Sequence, residues 1–175
     1  MQLLWTVMPA PGPIRALTVG ATSAGLALVA FGDHPEAAAR AADRLGFPAV
    51  KKEPADAVAQ LREYLAGERR VFDLPVDWAL TRGSQRRVLE TLFATVAYGE
   101  TVTYGELAAR SELGTAYTAA RGVGGIMGSN PLPVVVPCHR VMAADGLGGF
   151  GGGRDVKEWL LALEGVLTPA LDFEI

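Results

Sequence analysis

The chain has a single cysteine, Cys138, and it stands in the run Pro137-Cys138-His139-Arg140. A lone cysteine is ordinarily a small buried hydrophobe. Here an imidazole and a guanidinium follow directly, and cationic neighbours raise the thiolate fraction of a thiol. Val134-Val135-Val136 precede it, an apolar β-branched run that predicts a buried strand presenting the sulfur from a rigid end. After it comes a loop with six glycines between Gly146 and Gly153, a backbone that a bulky ligand can approach closely. These features point to a nucleophile. Neighbouring side chains of an extended segment face opposite ways. Cys138 and His139 therefore cooperate either through a bend in the chain or through a water that carries the proton. The water is favoured, with a carboxylate fixing the tautomer of His139. Many carboxylates in the chain qualify.

Several elements must position this run. Ile14–Val19 and Gly25–Phe31 are apolar and β-rich, and Gly20-Ala21-Thr22-Ser23 between them predicts a hairpin turn. Pro35 opens an alanine-rich helix that Gly46 closes. A second helix starts near Pro54 with Val58, Leu61 and Leu65 on one face and Gly67 as its stop. Arg69 to Leu80, with Pro75 and no period, reads as a connection between domains. Beyond it Ser84 is the expected cap of a helix carrying Val88, Leu89, Leu92, Phe93 and Val96. Thr103 and Glu106 have capping-box spacing, so a short helix is predicted from Tyr104 to about Arg110. A further helix is predicted over Tyr117–Met127 after the turn at Ser111–Gly114. Two short helices on a tight turn match a helix-turn-helix, although many such pairs are only core helices. Asp155 and Glu158 are expected to cap the last helix, which carries Trp159, Leu160, Leu161 and Glu164.

Composition narrows the class. Half of the 175 residues are hydrophobic and one fifth charged, ordinary for a globular protein, and no apolar run reaches the length of a membrane span. The start, Met1-Gln2-Leu3-Leu4-Trp5, lacks the basic and long apolar segments of a secretory signal. One cysteine forms no internal disulfide, and with only His34 and His139 a zinc site would need carboxylates. A cytoplasmic protein with neither metal nor cofactor is expected. The net charge of −3 argues against nucleic acid. Its distribution argues the other way, because no Asp or Glu occurs from Gly114 to Ala144, where Arg121, His139 and Arg140 lie.

Tyr98-Gly99-Glu100-Thr101-Val102-Thr103-Tyr104, the stretch Asn130-Pro131 through Cys138-His139-Arg140-Val141, and Val156 to Gly165 together resemble the O6-alkylguanine-DNA alkyltransferases. The likeness is fainter over the first 80 residues, at Pro11-Gly12-Pro13, Gly25-Leu26 and Phe72-Asp73-Leu74-Pro75. The resemblance implies an α/β protein of two parts. Residues 1–80 would be a ribonuclease-H-like strand and helix domain. Residues 81–175 would be a mostly helical domain with a helix-turn-helix that binds DNA and accepts the alkyl group. It implies a monomer that meets O6-alkylguanine, and O4-alkylthymine, in double-stranded DNA from the minor groove and flips the nucleotide out. Arg121 would fill the vacated stack, with Thr118, Ala120, Gly122 and Arg140 also against DNA. Cys138 would take the alkyl group once and keep it. His139 would receive the thiol proton through a water, Glu164 would hold His139, Tyr104 would donate to the leaving base, and Asn130 would brace the turn behind the cysteine. Met127, Val141, Phe150 and Gly151 would line the base pocket.

The chain departs from the family's pattern at Phe150-Gly151, where tyrosine-serine is common, and its glycine loop is shorter than in some members. No cysteines match a zinc site or a second methyl-accepting domain. Two other readings stay open. A sensor would bind alkylated bases without repairing them, although such relatives replace the cysteine. A cysteine hydrolase would need a histidine beside the sulfur and an oxyanion hole.

Overall fold

The computed structural model describes residues 1–167, so the expected second domain is seen up to its last eight positions. Strands β1 (Leu3–Pro9), β2 (Ala16–Thr22), β3 (Gly25–Phe31) and β4 (Ala49–Lys51) form a sheet in the order β3-β2-β1-β4. The β2–β3 hairpin is present, but β2 runs through Thr22 and the turn falls at Ser23-Ala24. Its start is later than Ile14 because Gly12–Ile14 form a 3-10 turn and Arg15 has φ 68°. Two strands of this sheet escaped the sequence reading. β1 pairs antiparallel with β2, and the three-residue β4 pairs parallel with β1.

Helix α1 (Pro35–Leu45) has proline in its first turn and Gly46 beyond its end at φ 75°, as the sequence predicts. It buries Ala37, Ala38, Ala41 and Ala42 against Leu3, Ala27 and Leu28. Helix α2 (Ala55–Leu65) lays Val58, Leu61, Tyr64 and Leu65 against Leu17, Val19, Leu26 and Val29. The connection from Arg69 to Leu80 is anchored to the sheet. Leu26 donates to the Pro75 carbonyl at 2.9 Å and Asp77 donates to the Leu26 carbonyl at 2.8 Å.

The second half holds α3 (Gly83–Thr95), α4 (Tyr104–Arg110), α5 (Tyr117–Gly128) and α6 (Arg154–Leu163), with a two-rung parallel ladder between β5 (Val102–Thr103) and β6 (Val141–Met142). The capping box at Thr103 and Glu106 is formed in both directions. Two expected caps are not. Helix α3 begins at Gly83 after Arg82, one residue before Ser84, and α6 follows Gly153 without a side-chain cap. Asp155 Oδ1 accepts from the N–H of Val156, and Glu158 lies 3.5 Å from Arg154 on the exposed face. One continuous cluster of buried residues runs from Leu17, Val19 and Leu61 to Leu89, Leu107, Val123, Val136 and Leu160. The strand and helix halves thus share a core. Each large side chain in it contributes about 1.5–3 kcal/mol by leaving water.

Candidate active site

The segment before Cys138 is not a strand. Pro131, Pro133 and Pro137 lack the N–H groups a ladder needs, and Val134 sits at φ 74°, a left-handed conformation costly for a β-branched residue. Burial of Val134, Val135 and Val136 rewards the apolar run without a sheet. Asn130 holds this turn by both ends of its amide. Oδ1 accepts from the N–H of Leu132 at 2.9 Å, and Nδ2 donates to the Val136 carbonyl at 3.0 Å. Cys138–His139–Arg140 then form a 3-10 turn, whose side chains fan out by about a third of a circle per residue. The bend separates the roles: Cys138 and His139 are both buried, and His139 and Arg140 reach the end of α6.

There they meet Glu164, whose carboxylate accepts five hydrogen bonds. Oε2 receives His139 Nε2 at 2.9 Å, Arg140 Nη2 at 2.8 Å and the Tyr64 hydroxyl. Oε1 receives Arg140 Nε at 2.8 Å and the Gly99 N–H at 3.2 Å. Burial alone would raise the Glu164 carboxyl, but the bonds from His139 and Arg140 outweigh it and hold it well below the usual carboxylate range. Burial lowers the His139 pKa, against the pull of Glu164, so the ring is neutral at pH 7. A neutral ring that donates from Nε2 has its lone pair on Nδ1. That buried Nδ1 has no hydrogen-bond partner among the described residues.

Two expectations fail here. Arg140, expected on DNA, is 7% exposed, bound to both oxygens of Glu164 and donates to the Val96 carbonyl at 2.8 Å. Its burial and these three bonds turn it toward Glu164 and Val96, inside the protein. The cationic neighbours also do not activate the thiol, since one is neutral and the other is paired. Burial pushes the Cys138 thiol up to about 11, against lowering contributions from Asn130, Lys157 and nearby backbone N–H groups. The resting sulfur is a thiol.

Lys157 was not singled out from the sequence. It is fully buried on α6 and its ammonium donates to the Val141 carbonyl at 2.7 Å and the Leu147 and Gly149 carbonyls at 2.5 and 3.2 Å. It thereby ties β6 to the glycine loop beside the thiol. Tyr64 was missed as well, and its contact with Glu164 spans 100 positions of sequence. No local signal marks either residue. His34 and Trp159 stand outside the cluster, His34 exposed against Glu36 and Trp159 packed at Gly12.

Tyr104, Gly124, Met127, Gly128, Phe150 and Gly151 surround a cavity of about 170 Å³. Burial raises the Tyr104 phenol, a Gly149 N–H bond opposes this, and the charge of an ionised Cys138 would raise it further. Gly148, at φ 75°, passes so near that a Cβ there would lie 2.7 Å from Tyr104 Oη. The structure thus brings Met127, Phe150 and Gly151 together around one cavity with Tyr104. Val141 does not line the cavity, being fully buried and paired with Val102. A groove of about 750 Å³ opens alongside, lined by Tyr104, Tyr117, Ala120, Arg121, Gly124 and Asp145. Arg121 is exposed on α5 with its guanidinium 6.0 Å from the centre of the Tyr117 ring, and Thr118 and Gly122 are exposed beside it. Among the described residues there is no group of three or more potential metal ligands, and no helix is long and apolar enough to cross a membrane.

Comparison with known proteins matches this geometry to one family. Residues 83–166 match the DNA binding domain of 6-O-methylguanine DNA methyltransferase, and residues 4–78 match its ribonuclease-like domain. A methylated-DNA–protein-cysteine methyltransferase of Mycolicibacterium paratuberculosis is 49% identical over 130 residues, covering 73% of this chain and 74% of that protein. The structure of the Mycobacterium tuberculosis O6-methylguanine methyltransferase superposes with a TM-score of 0.74 at 35% identity, covering 97% of this chain and 96% of that one. The Mycobacterium tuberculosis OGT in complex with DNA superposes with a TM-score of 0.73 at 35% identity, covering 94% and 92%.

Proposed function

The chain belongs to the family of 6-O-methylguanine DNA methyltransferases, and on that premise we propose that it repairs DNA by direct reversal, moving the alkyl group from O6 of guanine, or O4 of thymine, onto Sγ of Cys138. The observation that supports this reading is the state of His139: its Nε2 is held by Glu164, and its buried Nδ1, without a partner among the described residues, is an acceptor one residue from the only cysteine.

A protonated thiol is a poor nucleophile, so the proton must leave as the S–C bond forms. It passes through a water to Nδ1 of His139, and Glu164 stabilises the imidazolium. The S–C bond forms as the C–O6 bond breaks, and guanine leaves with its electron pair. Tyr104 donates a proton to the departing base, which otherwise leaves as an anion. The thioether is stable, so each molecule acts once, and no cofactor enters the balance.

Residues 81–175 carry these steps and the contact with DNA. Helix α5 enters the minor groove, a place with little sequence information and so suited to damage at any site. Arg121 takes the position of the flipped nucleotide, with Thr118, Ala120 and Gly122 along the strand. Extrusion costs a few kcal/mol, which the exposed base offsets by entering the cavity between Met127, Tyr104 and Phe150. Phe150 stacks on the base but donates nothing, so the contact to O6 passes to a backbone N–H of the glycine loop. The protein acts as a monomer in the cytoplasm.

The test is intact mass after incubation with duplex DNA containing O6-methylguanine. A gain of one methylene, saturating at one per protein and mapping to the peptide with Cys138, is the expected result. Cys138→Ala should show no gain and keep its affinity for DNA. Tight binding by the wild type without mass gain would instead make the protein a damage sensor.

A further inference from the structure

One side chain of the first half of the chain reaches the carboxylate that holds His139. Tyr64 lies on α2, is fully buried, and packs its ring against Phe72 at 5.2 Å and Tyr98 at 6.0 Å. Its hydroxyl donates to Glu164 Oε2, the same oxygen that accepts from His139 Nε2. It lies 3.5 Å from Nε2 itself, too far for a useful bond. Packing alone does not explain a hydroxyl in that place. A phenylalanine would fill the space, and burying a phenol is unfavourable unless the hydroxyl is bonded.

We propose that Tyr64 is a positioning residue for alkyl transfer, through which the N-terminal domain completes the Cys138–His139–Glu164 relay by holding and attenuating the carboxylate on His139. The inference rests on the reading of Cys138 as the alkyl acceptor. Its physical basis is the division of one oxygen among three donors. A carboxylate that also accepts from a phenol pulls less strongly on the imidazole proton, so His139 stays neutral and ready to receive a proton at Nδ1. The charged and titratable groups that act on His139 are Tyr64 from α2, Arg140 from its own turn, Lys157 from α6 and Glu164 just past its end, with Tyr98 behind Tyr64. Of these Tyr64 is the only uncharged donor on Oε2 besides His139. The Tyr64 phenol is itself held far above its usual range, by burial and then by the Glu164 charge, so it donates and does not ionise over any pH at which the protein works.

Tyr64→Phe in the full chain keeps the ring and removes the donor. Single-turnover transfer to an O6-methylguanine duplex should slow roughly fivefold or more at pH 7, the scale of one lost buried hydrogen bond. The acid limb of the rate profile should move to higher pH by about half a unit, while affinity for undamaged duplex stays at the wild-type value. A structural role alone would leave that profile in place. The chain has only two histidines, so NMR of the imidazole nitrogens reads His139 against His34 as an internal reference, with no substrate present. His139 should titrate at higher pH in the variant. An unmoved His139 titration, or a variant with the wild-type rate and profile, overturns the proposal. Absence of transfer by the wild type would overturn the function proposed above, and the NMR titration would still decide the role of Tyr64.

Discussion

At the scale of single residues, Glu164 is the position on which the site turns. A buried carboxylate is favourable only if its lone pairs are taken up, and here each oxygen is engaged, with Arg140 spanning both. Glu164→Gln keeps the shape and removes the charge, leaving the buried Arg140 without a counter-charge. We expect a loss of about 3–5 kcal/mol in urea-induced unfolding, the range for breaking a buried pair from one side, together with a drop in transfer rate. A variant as stable as wild type would mean that Arg140 finds another anion or water. The same residues show how much of the site can be read from sequence. Cys138, His139, Glu164, Tyr104 and Asn130 were singled out because they fall in the short, distinctive runs that carry the family resemblance, and of these the structure joins His139 to Glu164. Arg140 was misread since a surface-type residue was judged by its neighbours in the chain, while its partner lies 24 positions away. Lys157 and Tyr64 gave no local sign at all.

At the scale of elements, local signals held where two residues acted together and failed as single caps at Ser84 and Asp155. The capping box that starts α4 and the proline and glycine that bracket α1 depend on residues a few positions apart, and they formed as written. The strand expected at Val134–Val136 failed because an apolar β-branched run reports burial, and burial is compatible with a turn when prolines remove the donors. Strand β1 was missed for the opposite reason: Leu3–Pro9 is only partly buried along its length, and its pairing with β2 and β4 fixes it. The glycine loop offers a test at this scale. Gly148→Ala adds a methyl at φ 75° that would press on Tyr104 Oη and on the Ala143 N–H at 3.1 Å. The expected outcome is a cost of about 1–3 kcal/mol in stability and a transfer rate reduced more than DNA affinity, because Tyr104 is displaced while α5 is untouched. Equal losses in rate and affinity would place the loop in DNA binding.

For the molecule as a whole, the junction between the two halves predicts how it unfolds. The N-terminal sheet domain and the C-terminal helical domain share a buried cluster, Val29 donates to the Pro131 carbonyl at 2.9 Å, and Phe31 meets Phe150 edge-on at 5.6 Å. With Tyr64 on Glu164, three links join the sheet half to the segments that flank Cys138. Such a junction should melt in one cooperative transition. Its dependence on pH follows from the ions at its centre. Glu164 has its folded pKa below 4.5, so the stability it contributes is present above that value and is lost as pH falls toward the folded one. His139 has its folded pKa below 6.5, so the unfolded chain takes up a proton first on acidification and is favoured below that pH. The two effects have the same sign. Calorimetry should therefore show a single peak whose midpoint changes little from pH 8 to 7 and falls continuously from about pH 6.5 downward. Two separate peaks at pH 7 would show that the shared core does not couple the halves. A midpoint flat down to pH 4 would show that His139 is charged in the folded protein, and with it the free acceptor at Nδ1 would be lost.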